Sequence, residues 1–400
     1  MLDPGNFLPY YVRSLSRSLQ TLGATVRVIS SPPLFEAVEA DVPSSIDIFF
    51  FPFLRGFLRD GLRYRRVPRQ AVKALAYPFG LFRTWRALRK GVPGILHAQW
   101  APIPILDGLL FRLLRSIGWR IVFTAHDPAP TTPIMRVANA WVLAATDAVI
   151  VHTSDQKAKL TADFPRLANR VHIISHGGTV HTLVTAAEKR RERQFLGIAD
   201  DRPILLFFGL IKPYKGLAYL LEAMPAVIER YPSVLLVIAG EALMPLSPFR
   251  KQIHTLGLEE NVSLRPGFVP ESTVPAYMRA ADLLVTPYVS VGASGVLVLA
   301  QGHGLPVVVT RVGGLPDFVE RDRGGFVVPA CAPIPLADAI CRGLDNRDEL
   351  AAMGRRGWLR LARENRWSDI AGQTLALYAR THPAPSPGKG VSRQIVVSTR

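Results

Sequence analysis

The chain has 400 residues, 48% of them hydrophobic, which is enough for two domains of ordinary size with packed cores. Its two cysteines, Cys331 and Cys341, exclude a disulfide framework and a cysteine metal cluster and point to a reducing compartment. A formal charge of +17 at pH 7 implies an anionic partner, with nucleic acid, acidic lipid and phosphorylated small molecules as the candidate classes. We read neither a cleavable signal sequence nor an apolar run long and charge-free enough to span a bilayer, so a cytoplasmic protein is expected.

In chain order, apolar strands alternate with amphipathic helices. A helix is predicted over 9–22 and a strand over 25–30. Between Arg55 and Lys90 lie 11 Lys or Arg residues and one acid, Asp60, interleaved with aromatic and aliphatic residues such as Phe57, Tyr64, Phe79, Phe82 and Trp85. That mixture suits a surface helix resting on anionic membrane, and equally a solvated basic face over an ordinary helix-to-sheet contact. No zinc finger, RNA-recognition signature or other nucleic-acid motif accompanies the charge, so nucleic acid is not expected as a partner.

Strands follow at 94–98, 120–125 and 148–153, with a helix over 105–117. This is the grammar of a parallel sheet covered on both faces. A charged segment, 187–201, contains the run Glu188, Lys189, Arg190, Arg191, Glu192 and Arg193 and is read as a junction. The pattern then starts again, with strands at 203–208, 233–239, 262–265, 283–286, 306–310 and 325–328 and helices including 217–231 and 271–280. The expected fold class is therefore α/β, two Rossmann-like domains facing across a cleft, with the ligand at the carboxyl ends of the strands.

FFGLIKPYKG, residues 207–216, lies at such a strand end and opens the next helix. Unpaired backbone N–H groups and the helix dipole favour an anion there, Lys212 and Lys215 add positive charge, and Gly209 allows close backbone approach. A phosphate suits the loop. A capped, solvated turn would carry the same residues.

Beyond this loop, IKPYKGLAYLLEAMPAVIERYPSVLLVIAGEA, VPESTVPAYMRAADLLVTPY and SGVLVLAQGHGLPVVVTRVGGLPDFVERDRGGFVVP resemble, in order and spacing over roughly 203–378, the retaining glycosyltransferases of family 4, the "glycosyl transferases group 1" type. DPGNFLPYYVRSLSRSLQTLGATVRVIS, ILHAQWAPIPILDGLLFRLL, FTAHDPAP and IISHGG resemble the family's acceptor-side loops more loosely. WSDIAGQTLALY resembles its last helix. The resemblance implies the GT-B fold, with an acceptor-side domain over 1–186, a nucleotide-sugar donor domain over 187–365, a return helix over 366–380 and a flexible tail over 381–400. It implies an enzyme of hexosyltransferase type, serving polysaccharide or glycolipid biosynthesis, that uses a nucleotide-diphosphate sugar and needs no other cofactor and no metal. The expected acceptor is a lipid-linked or other glycan, with the protein peripheral on the inner face of the cell membrane.

Lys215 matches the family's phosphate lysine. Leu210 stands where many members carry arginine, a part Lys212 could take from two residues further on. His126 matches the histidine beside the donor sugar, with Asp127 orienting its loop, and His176 is a weaker candidate that suits a turn equally well. The family's two glutamates, with seven residues between them, fall at Val291 and Leu299, whose side chains accept no hydrogen bond. The backbone around Gly292, Ala293, Ser294, Gly295 and Val296, with the Ser294 hydroxyl, would then have to meet the sugar and phosphates. The missing carboxylates also keep open a catalytically silent nucleotide-sugar binding subunit. Finally, Met1 and Leu2 stand directly before Asp3, where the family has a buried apolar strand, so a natural start upstream of Met1 or another segment in that strand's place is expected.

Overall fold

The computed structural model describes residues 1–4, 9–31, 46–51, 66–126, 132–198, 202–321, 323–382 and 397–399. The chain divides into two compact units. Unit 1 comprises Met1–Ser175 with Trp367–Arg400, and unit 2 comprises His176–Arg366.

In unit 1 the strands β1 (Leu2–Asp3), β2 (Val26–Ser30), β3 (Ile46–Ile48), β4 (Ile95–Ala98), β5 (Arg120–Thr124), β6 (Ala148–Val151) and β7 (Val171–Ile173) alternate with α1 (Pro9–Thr21), α2 (Arg66–Leu88), α3 (Pro104–Ser116), α4 (Pro133–Ala144) and α5 (Ser154–Asp163). Unit 2 opens with α6 (Ala186–Phe195) and runs through β8 (Ile204–Phe208), α7 (Leu217–Arg230), β9 (Leu235–Gly240), α8 (Ser247–Thr255), β10 (Val262–Pro266), α9 (Val274–Ala280), β11 (Leu283–Thr286), α10 (Gly295–Gly302), β12 (Val307–Thr310), α11 (Leu315–Glu320), β13 (Gly325–Val328), α12 (Pro333–Asp345) and α13 (Arg347–Glu364). The chain then returns to unit 1 as α14 (Trp367–Thr381) and β14 (Val397–Thr399).

Central strands such as AVIV in β6 and ILLFF in β8 are buried along their whole length, because helices cover both faces of a parallel sheet. In α1 the buried residues Tyr11, Val12, Leu15 and Leu19 recur at helical spacing. They share one core with Trp367, Ile370, Ala371, Leu377 and Tyr378 of α14, so the last helix belongs to the first unit's core.

The unit 1 sheet has a composite central strand. Leu2 pairs with Ile29 and Ala98, and in line with it Val397 pairs with Val26 and Ile95. Residues 397–399, read from the sequence as part of a flexible tail, are therefore placed in the ladder between β2 and β4. Without them the backbone groups of both neighbours would lack partners there, at about 1–3 kcal/mol for each one buried.

Unit 2 is a six-stranded parallel sheet in the order β10-β9-β8-β11-β12-β13. The chain leaves β8 towards β9 and β10, then returns to β11 on the other side, so the strand order reverses beside the carboxyl end of β8. The charged run read as a junction is instead the helix α6 inside unit 2. Thr185 and Glu188 form its capping box, and Lys189 and Arg193 hold Asp282 at 2.6 and 2.8 Å, which fixes the helix to the sheet before β11. Among the described residues no helix is long and apolar enough to cross a membrane.

Candidate functional site

The loop after β8 is shaped by three glycines. Gly209 has φ +94°, and a Cβ there would stand 3.2 Å from both Lys215 Nζ and Val296 Cγ2. Gly216 is left-handed at φ +66°, and a Cβ would lie 1.9 Å from the Pro287 carbonyl oxygen. Gly240, at the end of β9, presses against the Gly209 carbonyl in the same way. Only glycine meets both demands, positive φ and backbone against backbone.

Lys215 is buried. Its ammonium donates to the Phe208 carbonyl at 3.3 Å and lies 4.9 Å from the centroid of the Tyr288 ring, so a positive charge is held at the sheet's switch point by a backbone dipole and an aromatic face. Lys212 is half-buried, its ammonium 5.8 Å from the Tyr214 ring centroid. Leu210 is exposed.

The second element is the N-terminus of α10. Ser294 is its N-cap, the hydroxyl accepting from the Leu297 N–H at 3.4 Å, which leaves the Gly295 and Val296 N–H groups of the first turn without an intrahelical partner. The loop before it is braced by Gly313 and Gly314: Gly314 N–H donates to the Gly292 carbonyl at 3.1 Å, and a Cβ on Gly313 would meet the Val291 carbonyl at 1.7 Å. His176 stands beside this terminus, with Nε2 3.5 Å from where a Gly295 Cβ would lie. Burial pulls its pKa down to about 4, so it is neutral at physiological pH. The structure thus gathers Gly209, Lys215, Val296 and, through Val296, the Ser294–Gly295 turn around one point. Val291 and Leu299 lean on the apolar cluster formed by Leu206, Tyr288, Leu297 and Val307, an environment hostile to a carboxylate.

In unit 1, His126 follows β5. Its ring is stacked on Trp100 with centroids 5.1 Å apart and meets the edge of Tyr11 at 4.9 Å. Both its nitrogens lie within hydrogen-bond distance of protein groups: Nε2 is 3.0 Å from Gln99 Oε1, and Nδ1 is 3.0 Å from His152 Nε2. Asp127 lies outside the described residues. Sequence reasoning missed Tyr288, Gln99, Trp100 and His152, because only the fold carries them to their partners. Among the described residues no group of three or more His, Cys, Asp or Glu is placed to hold a metal ion.

Two family models match this chain. "Glycosyltransferase Family 4" matches residues 9–182, and "Glycosyl transferases group 1" matches residues 202–346. The chain is 28% identical over 390 residues to the D-inositol 3-phosphate glycosyltransferase of Segniliparus rotundus, covering 92% of this chain and 83% of that protein. It is 26% identical over 397 residues to D-inositol 3-phosphate glycosyltransferase 2 of Catenulispora acidiphila, covering 93% and 89%. Among solved structures, the sucrose-phosphate synthase of Thermosynechococcus elongatus superposes with a TM-score of 0.73 at 22% identity, covering 93% of this chain and 92% of that one. The Anabaena protein HepE in complex with UDP-glucose gives 0.67 at 21% identity over 76% and 83%. The two parallel α/β units and these solved structures give the GT-B fold class, and the family models and relatives make the protein a glycosyltransferase. The chain belongs to the family 4, group 1 glycosyltransferases.

Proposed function

We propose that this protein is a retaining glycosyltransferase of hexosyltransferase type that moves a sugar from a nucleotide-diphosphate donor to a lipid-linked, glycolipid or polysaccharide acceptor at the cytoplasmic face of the membrane. The observation that carries the donor half is the convergence on Gly209 of the buried Lys215 ammonium and the first turn of α10. A diphosphate needs that combination. The lysine supplies charge, the helix terminus supplies directed N–H groups, and both are in place before negative charge grows on the departing nucleotide. Lys212 adds a second cation from the same loop. The complexes of HepE with UDP and with UDP-glucose support the choice of a nucleotide-sugar ligand. In this reading His126 stands by the donor sugar.

The membrane half is supported by unit 1. Ile105, Leu109, Leu113 and Ile117 form an exposed apolar stripe along α3 and just past its end. Leu75, Phe79 and Phe82 of α2 and Ile134, Val137 and Trp141 of α4 are exposed on the neighbouring helices. Arg83, Arg86, Arg89 and Lys90 follow the α2 stripe, and Arg112 lies over Trp141 at 3.5 Å. An apolar surface set among cations suits the interface of an anionic bilayer.

The experiment is a donor panel of nucleoside-diphosphate sugars with extracted lipids as acceptors, the anomeric configuration of the product being read by NMR. Transfer with retention is expected. An inverted product would remove the retaining mechanism, and donor binding without any turnover would leave only a nucleotide-sugar binding subunit.

A further inference from the structure

Buried side chains of unit 1 form one unbroken hydrogen-bonded chain through His126. His152 Nδ1 is 2.9 Å from the Ile174 carbonyl oxygen, and its Nε2 is 3.0 Å from His126 Nδ1. His126 Nε2 is 3.0 Å from Gln99 Oε1, and Gln99 Nε2 is 3.2 Å from His97 Nε2, so the amide stands with its carbonyl towards His126, the orientation that a protonated Nε2 requires. His97 Nδ1 is 2.6 Å from the Tyr378 hydroxyl of α14, and its Nε2 is 2.6 Å from Thr124 Oγ1. Residues from the ends of β4, β5 and β6 are thereby tied to the last helix, and His97, Gln99 and His152 are all buried.

The proton count along this chain is constrained at one end. A carbonyl oxygen only accepts, so Ile174 requires the proton of His152 on Nδ1. In the neutral pair His152 Nε2 is therefore bare, and His126 must present N–H from Nδ1. His126 Nε2 is then a lone pair and requires a donor, which Gln99 supplies only through its NH₂ group. When Nε2 binds a proton it requires an acceptor, which Gln99 supplies only through its carbonyl. The two ends of the amide are alike in shape, so one side chain serves both states by turning over. The same turn sets His97: facing NH₂, its Nε2 is bare and its Nδ1–H donates to Tyr378; facing the carbonyl, Nε2 donates and Nδ1 accepts from Tyr378 O–H. His97 meets both demands as a neutral ring, and burial holds its pKa well below the ordinary value.

We infer that His152 and Gln99 are positioning residues that hold His126 as its Nδ1–H tautomer and make Nε2 the nitrogen that gains and loses a proton, with Gln99 turning over as it does. This rests on the reading of His126 as the group beside the donor sugar. A ring held in one tautomer presents the same atom at every turnover. Among the described residues, the titratable groups around it are Tyr11 from α1, His97 from β4, His152 after β6 and Tyr378 from α14, with the buried Asp3 and the Met1 amino group at the neighbouring β1.

The test is ¹⁵N NMR of histidine-labelled full-length protein, with the His126 ring signals assigned by their loss in His126→Ala and followed from about pH 5 to about pH 9. The wild-type ring is expected to carry its proton on Nδ1 at neutral pH and to titrate at Nε2. Gln99→Glu, which offers only acceptors, should raise the His126 pKa by about one unit or more. His152→Leu should abolish the tautomer preference and lower kcat more than it changes KM. His152→Gln, whose oxygen can accept from His126 while its NH₂ donates to Ile174, should restore both. A wild-type ring with its proton on Nε2 and Nδ1 bare overturns the inference without any variant, as does an unmoved pKa in folded Gln99→Glu. Full activity of His126→Ala would instead remove the sugar-side role and leave the tautomer result standing.

Discussion

Lys215 is buried with its ammonium on the Phe208 carbonyl, so its charge is fixed in place before any ligand arrives. Lys215→Ala should lower turnover by about 10- to 1000-fold, the range for losing one preorganised donor to developing charge, measured as kcat with saturating donor. Lys212→Ala, from a half-buried position, should cost less. Glycine offers a second test at this scale. Gly216→Ala would drive a methyl into the Pro287 carbonyl, whereas Gly197→Ala, at the similar φ of +65°, meets nothing within 4 Å. Urea unfolding should therefore show Gly216→Ala to be the more damaging by more than about 1 kcal/mol, because strain alone operates at Gly197. Lys215 and Gly209 were legible in the sequence because a strand end, a glycine and two lysines lie within ten residues. Tyr288 and the Gln99–His126–His152 chain were not: their members come from separate strands, and only the parallel sheet aligns them.

The helices of unit 1 carry the membrane claim. Sequence reading placed α3 over 105–117 and took it as a cover for the sheet. The structure shows a buried face built from Leu110, Phe111 and Leu114 and an outer stripe, Ile105, Leu109, Leu113 and Ile117, that is equally apolar. A helix apolar on two sides announces burial, and which side the sheet takes depends on its neighbours α2 and α4. Much of the basic stretch that first suggested lipid, residues 52–65, lies outside the described residues, so the test moves to described positions. Leu109→Ser with Leu113→Ser should weaken sedimentation with anionic liposomes without altering donor turnover on a soluble acceptor. Replacing Arg83, Arg86, Arg89 and Lys90 with Ser should abolish the salt-sensitive part of binding, at about 1 kcal/mol per cation near the surface. Unchanged sedimentation of both variants would refute the surface.

At the scale of the molecule, the fold class followed from alternating strands and helices, while the filling of the first unit's sheet did not. A gap before Asp3 was readable, but nothing in VST marks it as the ladder partner of strands some 300 to 370 residues earlier. Stability should also carry a histidine signature. Burial lowers the His176 pKa to about 4 and the His303 pKa to about 3, and neither ring nitrogen of His303 has a hydrogen-bond partner. The unfolded chain binds protons at these residues near pH 6.5 and the folded one does not, so their neutral forms disfavour unfolding least in acid. Stability should begin to fall as pH drops below about 6.5 and continue falling to about pH 3, the His176 share, on the order of 3 kcal/mol, being lost by about pH 4. His303→Leu should flatten that slope in urea titrations. An unchanged slope would show that the His303 burial contributes nothing.

The central claim is that the β8–α7 loop and the first turn of α10 hold a nucleotide diphosphate. Isothermal titration of UDP, GDP and ADP into the wild-type protein and into Lys215→Ala tests it most directly. At least one diphosphate is expected to bind the wild type and to lose about 10-fold or more in affinity in the variant, with the matching nucleoside binding both proteins alike. Equal affinity of wild type and Lys215→Ala for every diphosphate that binds would contradict it.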